Sequence, residues 1–383
     1  LKNAGRSQLR RPLGWGRPRA GDGIRGPGSA ASADPPRILI VKLSAIGDVV
    51  HSLAFLDVLR RRYPTARIDW LVEETAAALV EGHPDLERVL VVRRKRWARA
   101  LKDFSAWRAA AHEIRVLLRV LRAEPYDLVV DLQGLFKSAL WTGLARGRRK
   151  VGTSGWREGA VLFWREAPVA VDYERHAIER YLQLAAYLDC RTDDWAARIP
   201  VRKADEACVA ALLRTAGLGR RPIVAIHPVA GWESKLWEPE RFALLADRIQ
   251  NELAGDVVFT GSQADGPYLA SIFRHMQSPV RNWAGRLALR ETAFFFTHCA
   301  LLVTTDTGPM HVAAAMGRPV VALFGPTAPW RTGPYGEGHC VLRVPMDCSP
   351  CFRRRCVPKT CMRAIEVEAV LARVGRRLGD GGR

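Results

Sequence analysis

Asp48 is the first residue in the chain whose type and setting could do acid–base chemistry. It follows four apolar residues and a short Ser/Ala/Gly turn in RILIVKLSAIGDVVHS (37–52), where the apolar pattern changes from a continuous run to helical spacing. An acid between the C-terminal end of a strand and a helix start stands where open α/β sheets hold ligands and catalytic groups. The same position also suits a plain helix cap, because Asp accepts hydrogen bonds from first-turn amides. A second candidate lies in LLVTTDTGPMHVAAAMGRP (301–319), where an apolar strand ends at Asp306 and a helix opens near Pro309. Gly308 permits close backbone approach, and the amides of Thr307 and Gly308, backed by the helix dipole, form an anion site that suits a phosphate.

Other groups are weaker alone. Lys235, in the loop of HPVAGWESKLWEPERF (227–242), could neutralise a pyrophosphate as a compact charge, although most loop lysines are only solvated. Asp265 closes FTGSQAD (259–265), and an acid after a strand edge can bind ribose hydroxyls. The run Arg93, Arg94, Lys95, Arg96 follows a strand, and Arg146, Arg148, Arg149 and Lys150 form a second run. Each is either a solvated patch or a clamp for a carboxylate- or phosphate-bearing acceptor. Cys348, Cys351, Cys356 and Cys361 are spaced C-x2-C-x4-C-x4-C, which suits a structural zinc or two disulfides. No His lies inside the cluster, so ordinary thiols are the expectation. Cys190, Cys208, Cys299 and Cys340 are scattered and read as small core residues.

The elements that must position these groups alternate along the chain. Strands are expected at 37–41, 67–72, 88–92 and 126–132, with helices after Gly47, over 104–122, in QGLFKSALWTGLA and over 173–188. The pattern breaks into polar residues around 189–204 and then restarts. Strands at 222–228, 256–262, 300–306 and 319–327 are interleaved with helices at 240–254, 268–276, 289–299 and 310–317, and a last helix covers 367–377. Apolar strands in β-α alternation imply parallel sheets covered on both faces, and two such halves imply two Rossmann-like domains facing a cleft. The expected division is 37–195, 196–365 and a C-terminal helix and tail over 366–383. Residues 1–36, rich in Gly, Arg and Pro, read as a disordered extension. They contain the one literal G-x-G-x-x-G, at Gly21, Gly23 and Gly26, with no strand before it.

The 383 residues carry 59 Lys and Arg against 39 Asp and Glu, a formal charge of +20 that favours polyanionic partners. Neither a recognition helix nor a stacking surface accompanies the charge, so nucleic acid is not the expected partner. No run of eighteen apolar residues occurs, which gives no membrane-spanning helix. A chain of this size needs no disulfides for stability, so a reducing cytoplasmic setting is the default.

VKLSAIGDVVHSLAFLDVLRRRYPTARIDWLVEE, VVDLQGLFKSAL, ESKLWEPERF, DTGPMHVAAAMGRPVVALFGPT and CSPCFRRRC together resemble the ADP-heptose–lipopolysaccharide heptosyltransferases, from about Arg37 to Val374. The opening block with IDWLVEE is most similar to the heptosyltransferase I branch. The resemblance implies a GT-B fold, with acceptor on the first domain and sugar nucleotide on the second. It implies inverting transfer without metal or cofactor, with Asp48 as general base. Nucleotide-sugar contacts are implied for Lys235, Asp265, Asp306, Thr307, Gly308 and His311, with Leu287 near the adenine. Ser44, Gly47, Arg93, Arg94 and Arg96 are expected on the acceptor side. Val229 and Ala230 stand where hydroxyl residues sometimes occur in the family, so contacts there would use backbone amides. The implied donor is ADP-heptose and the acceptor Kdo of Kdo2-lipid A, with peripheral docking on the anionic inner face of the inner membrane. The alternatives are heptosyltransferase II, a basic nucleic-acid-binding protein, and a two-domain nucleotide-sugar epimerase.

Overall fold

The computed structural model describes residues 34–100 and 102–380. Most of the expected N-terminal extension, including Gly21, Gly23 and Gly26, lies outside the described residues. The first half contains β1 (Arg37–Val41), α1 (Ile46–Arg62), β2 (Arg67–Glu73), α2 (Glu74–Ala77), β3 (Arg88–Val92), α3 (Arg94–Ala100), α4 (Phe104–Ala123), β4 (Tyr126–Asp131), α5 (Phe136–Leu144), β5 (Gly147–Gly152) and α6 (Ala177–Tyr187). Its strands pair in parallel in the order β3-β2-β1-β4-β5.

The second half contains α7 (Lys203–Thr215), β6 (Ile223–His227), α8 (Pro239–Glu252), β7 (Asp256–Phe259), α9 (Gly266–Phe273), α10 (Leu289–Thr297), β8 (Leu301–Thr305) and α11 (Gly308–Ala315). It ends with β9 (Val320–Leu323), α12 (Pro329–Thr332), β10 (Cys340–Leu342), α13 (Thr360–Arg363) and α14 (Val367–Asp380). Its strands are also parallel, in the order β10-β9-β8-β6-β7.

Both orders reverse direction at one place, between β1 and β4 in the first sheet and between β6 and β8 in the second. Crevices open at the strand C-termini of such points, and they are the sites where open α/β sheets bind ligands. The sequence puts Ser44 to Asp48 after β1 and Asp306 to Gly308 after β8, so the candidate groups occupy both crevices. Central strands such as Ile38–Val41 and Leu301–Thr305 are fully buried, which explains their unbroken apolar or Thr-rich character. One apolar cluster passes from Ile38 and Ile40 through Val50 and Leu53 of α1 to Met310 and Val312 of α11, so the two halves share a core.

Several elements differ from the sequence expectation, among them α3, β5, α7, β9 and β10. GRRKVG forms β5, an edge strand, where its charges read as a solvated patch or a clamp and no strand is expected. Edge strands tolerate charge, and here Arg149 pairs with Glu166 at 2.6 Å while Lys150 donates to the Gly143 carbonyl at 2.8 Å. KADEACVAALLRT forms α7, which follows the polar connection and packs on α10. The strand expected over 319–327 is only β9; beyond Leu323 the chain turns into the Phe324–Ala328 loop. All eight cysteines are free thiols.

Candidate active site

On the first domain, β1 runs directly into Lys42-Leu43-Ser44. Gln133, just past β4, pins that loop by accepting from the Leu43 amide at 2.9 Å and the Ser44 amide at 3.3 Å. Lys137 donates to the Ser44 hydroxyl and pairs with Glu73 at 3.0 Å, which ties α5 to the same loop. Asp48 keeps its capping role, since its Oδ2 accepts from the Ala45 amide at 3.2 Å. Its side chain is nevertheless 43% exposed, and among the described residues its Oδ1 has no hydrogen-bond partner. Beneath it lies Lys42, 4% exposed, with Nζ 3.9 Å from Asp48 Oδ2 and donating to the Leu132 carbonyl at 3.2 Å. Burial by itself would lower the Lys42 pKa, but Asp48, Tyr181 and Asp131 outweigh it and the net shift is upward. Asp48 therefore stands over a permanently charged cation.

On the second domain, Lys235 Nζ pairs with Asp306 Oδ2 at 2.7 Å and donates to the Asp306 carbonyl at 3.3 Å. Thr327 donates to the same Oδ2 at 2.6 Å, and the Lys235 ammonium lies 4.4 Å from the Trp232 ring centre. These contacts bring the loops after β6, β8 and β9 to one spot at the start of α11. First-turn helix amides have no intrahelical acceptor, so Thr307 and Gly308 present donors beside a fixed ammonium. Asp265 lies after β7, where its Oδ2 accepts from the Ser262 amide at 2.7 Å and the Ser262 hydroxyl at 2.6 Å. The Gly285 amide donates to the Gly261 carbonyl at 2.9 Å, which brings the loop bearing partly buried Leu287 against the same edge.

His311 joins the two halves. Its Nδ1 is 2.9 Å from His51 Nε2, a contact between α11 and α1. A Cβ added at Gly47 would lie 3.0 Å from His311 Nε2 and closer still to Cδ2, and one added at Gly308 would lie 2.9 Å from Ile46. Glycine at both positions is what lets the two helix starts meet. His176 stacks edge-on against His51 with ring centres 5.0 Å apart, and its Nε2 is 3.0 Å from the Gly333 carbonyl. Burial, foremost, pushes His311 down to about 4, and it also lowers His51 and His176. Asp306, Asp48 and Lys235 all act on His311 electrostatically, so this ring lies near the candidate groups of both halves.

The basic run is paired with acids of the first domain. Arg93 pairs with Glu74 at 3.3 Å, Arg94 with Glu73 at 3.1 Å and Arg96 with Glu113 at 3.2 Å, so none is a free cation waiting for an acceptor. Arg94 still reaches the Ser44 loop, because Glu73 Oε1 also holds Lys137. Arg96 instead ties α3 to α4. Sequence reading missed Lys42, His51, Gln133, His176 and Thr327. Only His51 carried a signal, as a polar residue on the apolar face of α1.

The model of glycosyltransferase family 9 (heptosyltransferase) matches residues 114–362. The chain belongs to that family. Lipopolysaccharide heptosyltransferase 1 of Pseudomonas aeruginosa is 32% identical over 84% of this chain and 87% of its own length. The structure of Escherichia coli heptosyltransferase WaaC with ADP superimposes at a TM-score of 0.67 and 27% identity, covering 89% of this chain and 99% of that one. Escherichia coli ADP-heptose lps heptosyltransferase II, at 24% identity, shares the fold with a TM-score of 0.71 over 91% of this chain and 100% of its own. The architecture is GT-B, two Rossmann-like domains about a cleft, and the protein is a glycosyltransferase of lipopolysaccharide core assembly. Ser44, Gly47 and Asp48 precede the matched segment, so their assignment stands on the geometry above.

Proposed function

We propose that this glycosyltransferase moves L-glycero-D-manno-heptose from ADP-heptose to a Kdo hydroxyl of Kdo2-lipid A, with inversion and with Asp48 as general base. The observation that carries this is that the helix start bearing Asp48 meets, at Gly47, Gly308 and His311, the helix start that follows the Lys235–Asp306 pair. Asp48 takes the proton of the acceptor hydroxyl, and that oxygen forms a bond to the anomeric carbon on the face opposite ADP. The bond from the anomeric carbon to the diphosphate oxygen breaks, and ADP leaves carrying the electron pair. Lys235 and the Thr307 and Gly308 amides stabilise the growing charge, a task this cation and helix start can perform without a metal. Lys42 places a positive charge 3.9 Å beneath the Asp48 carboxylate.

In this reading residues 37–195 hold the acceptor, with Ser44, Gly47 and Arg94 around it, and residues 196–365 hold the sugar nucleotide. Asp265 stands at the ribose and Leu287 at the adenine. Among the described residues no helix is long and apolar enough to cross a membrane, so a lipid-linked acceptor would be met by peripheral docking on the inner face of the inner membrane.

The test is transfer from ADP-heptose to Kdo2-lipid A and, separately, to its monoheptosylated product. Transfer to the first alone, lost by at least about a hundredfold in Asp48→Asn with donor affinity unchanged, is the expected result. Transfer only to the second would assign the enzyme to the next step. A nearly full rate in Asp48→Asn would reduce Asp48 to a cap.

A further inference from the structure

Large apolar side chains are exposed together on one face of the first domain. Leu162 is 80% exposed, Phe136 48% and Leu140 37%. Phe136 and Leu140 stand one turn apart on α5, so they share a face. Phe163, from the 3-10 turn Ala160–Phe163, packs edge-on against Phe136 with ring centres 5.8 Å apart. Between α5 and this turn runs an open groove of about 440 Å³, whose lining includes Leu140, Leu162, Phe163 and Arg165. A monomeric protein gains nothing by leaving such side chains in water, and contiguous apolar surface rimmed by charge marks an interaction site.

The rim is mainly basic, with Glu158, which accepts from the Phe136 amide at 3.2 Å, as an acid beside it. Arg115, Arg119 and Arg122 lie along one stripe of α4 and border a second shallow groove with Leu118. Among the described residues none of the three has a carboxylate within ion-pair distance, and Arg165 has only a 3.5 Å contact to the Arg148 carbonyl. Lys150 lines the first groove, and burial lowers its pKa, with Arg165 and Arg122 adding to the shift. This contrasts with Arg93, Arg94, Arg96 and Arg149, each of which has an acid.

We propose that this face, made by α5, the 160–163 turn and the C-terminal half of α4, docks the enzyme on an anionic lipid bilayer. Leu162, Phe136 and Leu140 enter the headgroup boundary, and Arg119, Arg122 and Arg165 meet lipid phosphates. Apolar residues that insert, surrounded by cations that remain at the headgroups, are the two components of peripheral membrane binding. A second copy of the chain fits poorly, because a self-complementary interface would set one arginine rim against another. The inference rests on the lipid-linked acceptor proposed above, and it explains how that acceptor reaches the cleft. Lys137, on the first turn of α5, is bonded to the Ser44 hydroxyl beside Asp48. At about 1.5 Å per residue, Leu140 lies only about 5 Å farther along the helix axis and Leu144 about 11 Å. Acyl chains can therefore stay in the bilayer while the attached sugar enters the site.

The experiment compares co-sedimentation of the full chain with vesicles of phosphatidylcholine alone and with phosphatidylcholine containing about 30% phosphatidylglycerol. Wild type is expected on the anionic vesicles only. Leu162→Asp should weaken that binding about tenfold, as expected for one inserted leucine, and Arg119→Glu/Arg122→Glu by more. Turnover on a water-soluble Kdo acceptor without acyl chains should match wild type in both variants, which excludes misfolding. If wild type binds no vesicles, the membrane reading itself falls. If wild type binds and both variants bind equally well, the membrane reading survives and this surface is wrong. Dimerisation abolished by Leu162→Asp, with vesicle binding intact, would assign the face to a second copy and overturn the proposal.

Discussion

Gly47→Ala is the smallest change that tests whether the α1–α11 contact organises the site. Alanine in a helix is favoured over glycine by about 1 kcal/mol, so propensity alone says the substitution stabilises. The new methyl would meet the His311 ring at 3.0 Å from Nε2 and closer from Cδ2, inside the roughly 3.5–4.0 Å of ordinary contact. His311 cannot simply swing away, because it is buried and its Nδ1 is 2.9 Å from His51. The two helix starts must then part by about an ångström. Overpacking of this kind costs about 1–3 kcal/mol, which exceeds the propensity gain and leaves a net loss of about 1 kcal/mol. Catalysis should suffer more, since a misplacement of about 1 Å between reacting groups can cost about a hundredfold in rate. Urea melts and steady-state transfer assays read the two effects. His311→Ala removes the ring, so in that background Gly47→Ala should cost no stability. A fully active Gly47→Ala enzyme, no less stable than wild type, would refute the claim that this contact sets the geometry.

Two further outcomes follow from the same geometry. Lys235→Met leaves Asp306 buried without its cation and should destabilise the fold by about 3 kcal/mol, with kcat reduced. Lys235→Met/Asp306→Asn should recover stability in melts without recovering transfer, which separates the structural from the catalytic part of the pair. Acid should unfold the protein early. The folded state keeps His311 neutral down to about pH 4, whereas the unfolded chain takes up the proton near 6.5. The unfolded state thus binds more protons in that window, and stability falls with falling pH by on the order of 3 kcal/mol for this group. His311→Gln should flatten the pH dependence of urea midpoints between pH 7 and 4.

The strand–turn–helix around Asp48 and the strand–D-T-G-P–helix around Asp306 were legible because their signals are local. Four apolar residues without alternation describe a strand buried on both faces, and a change to helical spacing locates the turn within one or two residues. Two such alternating halves require two parallel sheets, since only crossover helices connect parallel strands. Charge was the poorest guide. Arg93, Arg94 and Arg96 read equally as a solvated patch or a clamp, and the acids they pair with, Glu74, Glu73 and Glu113, lie 17 to 21 residues away on α2, β2 and α4. GRRKVG did not read as a strand because a polar edge strand buries only some of its side chains.

By itself, then, the sequence determined that Asp48 sits at a strand-to-helix turn in one α/β half and Asp306, Thr307 and Gly308 at a similar turn in another. Those are statements about neighbours in the chain, where backbone sterics and apolar spacing suffice. Only the tertiary structure decided that the two turns face each other. Their meeting depends on His51 touching His311 across 260 positions, on glycines at 47 and 308 that leave room for it, and on Lys42 lying beneath Asp48. None of these contacts has a local signature, because each exists only once both sheets are packed.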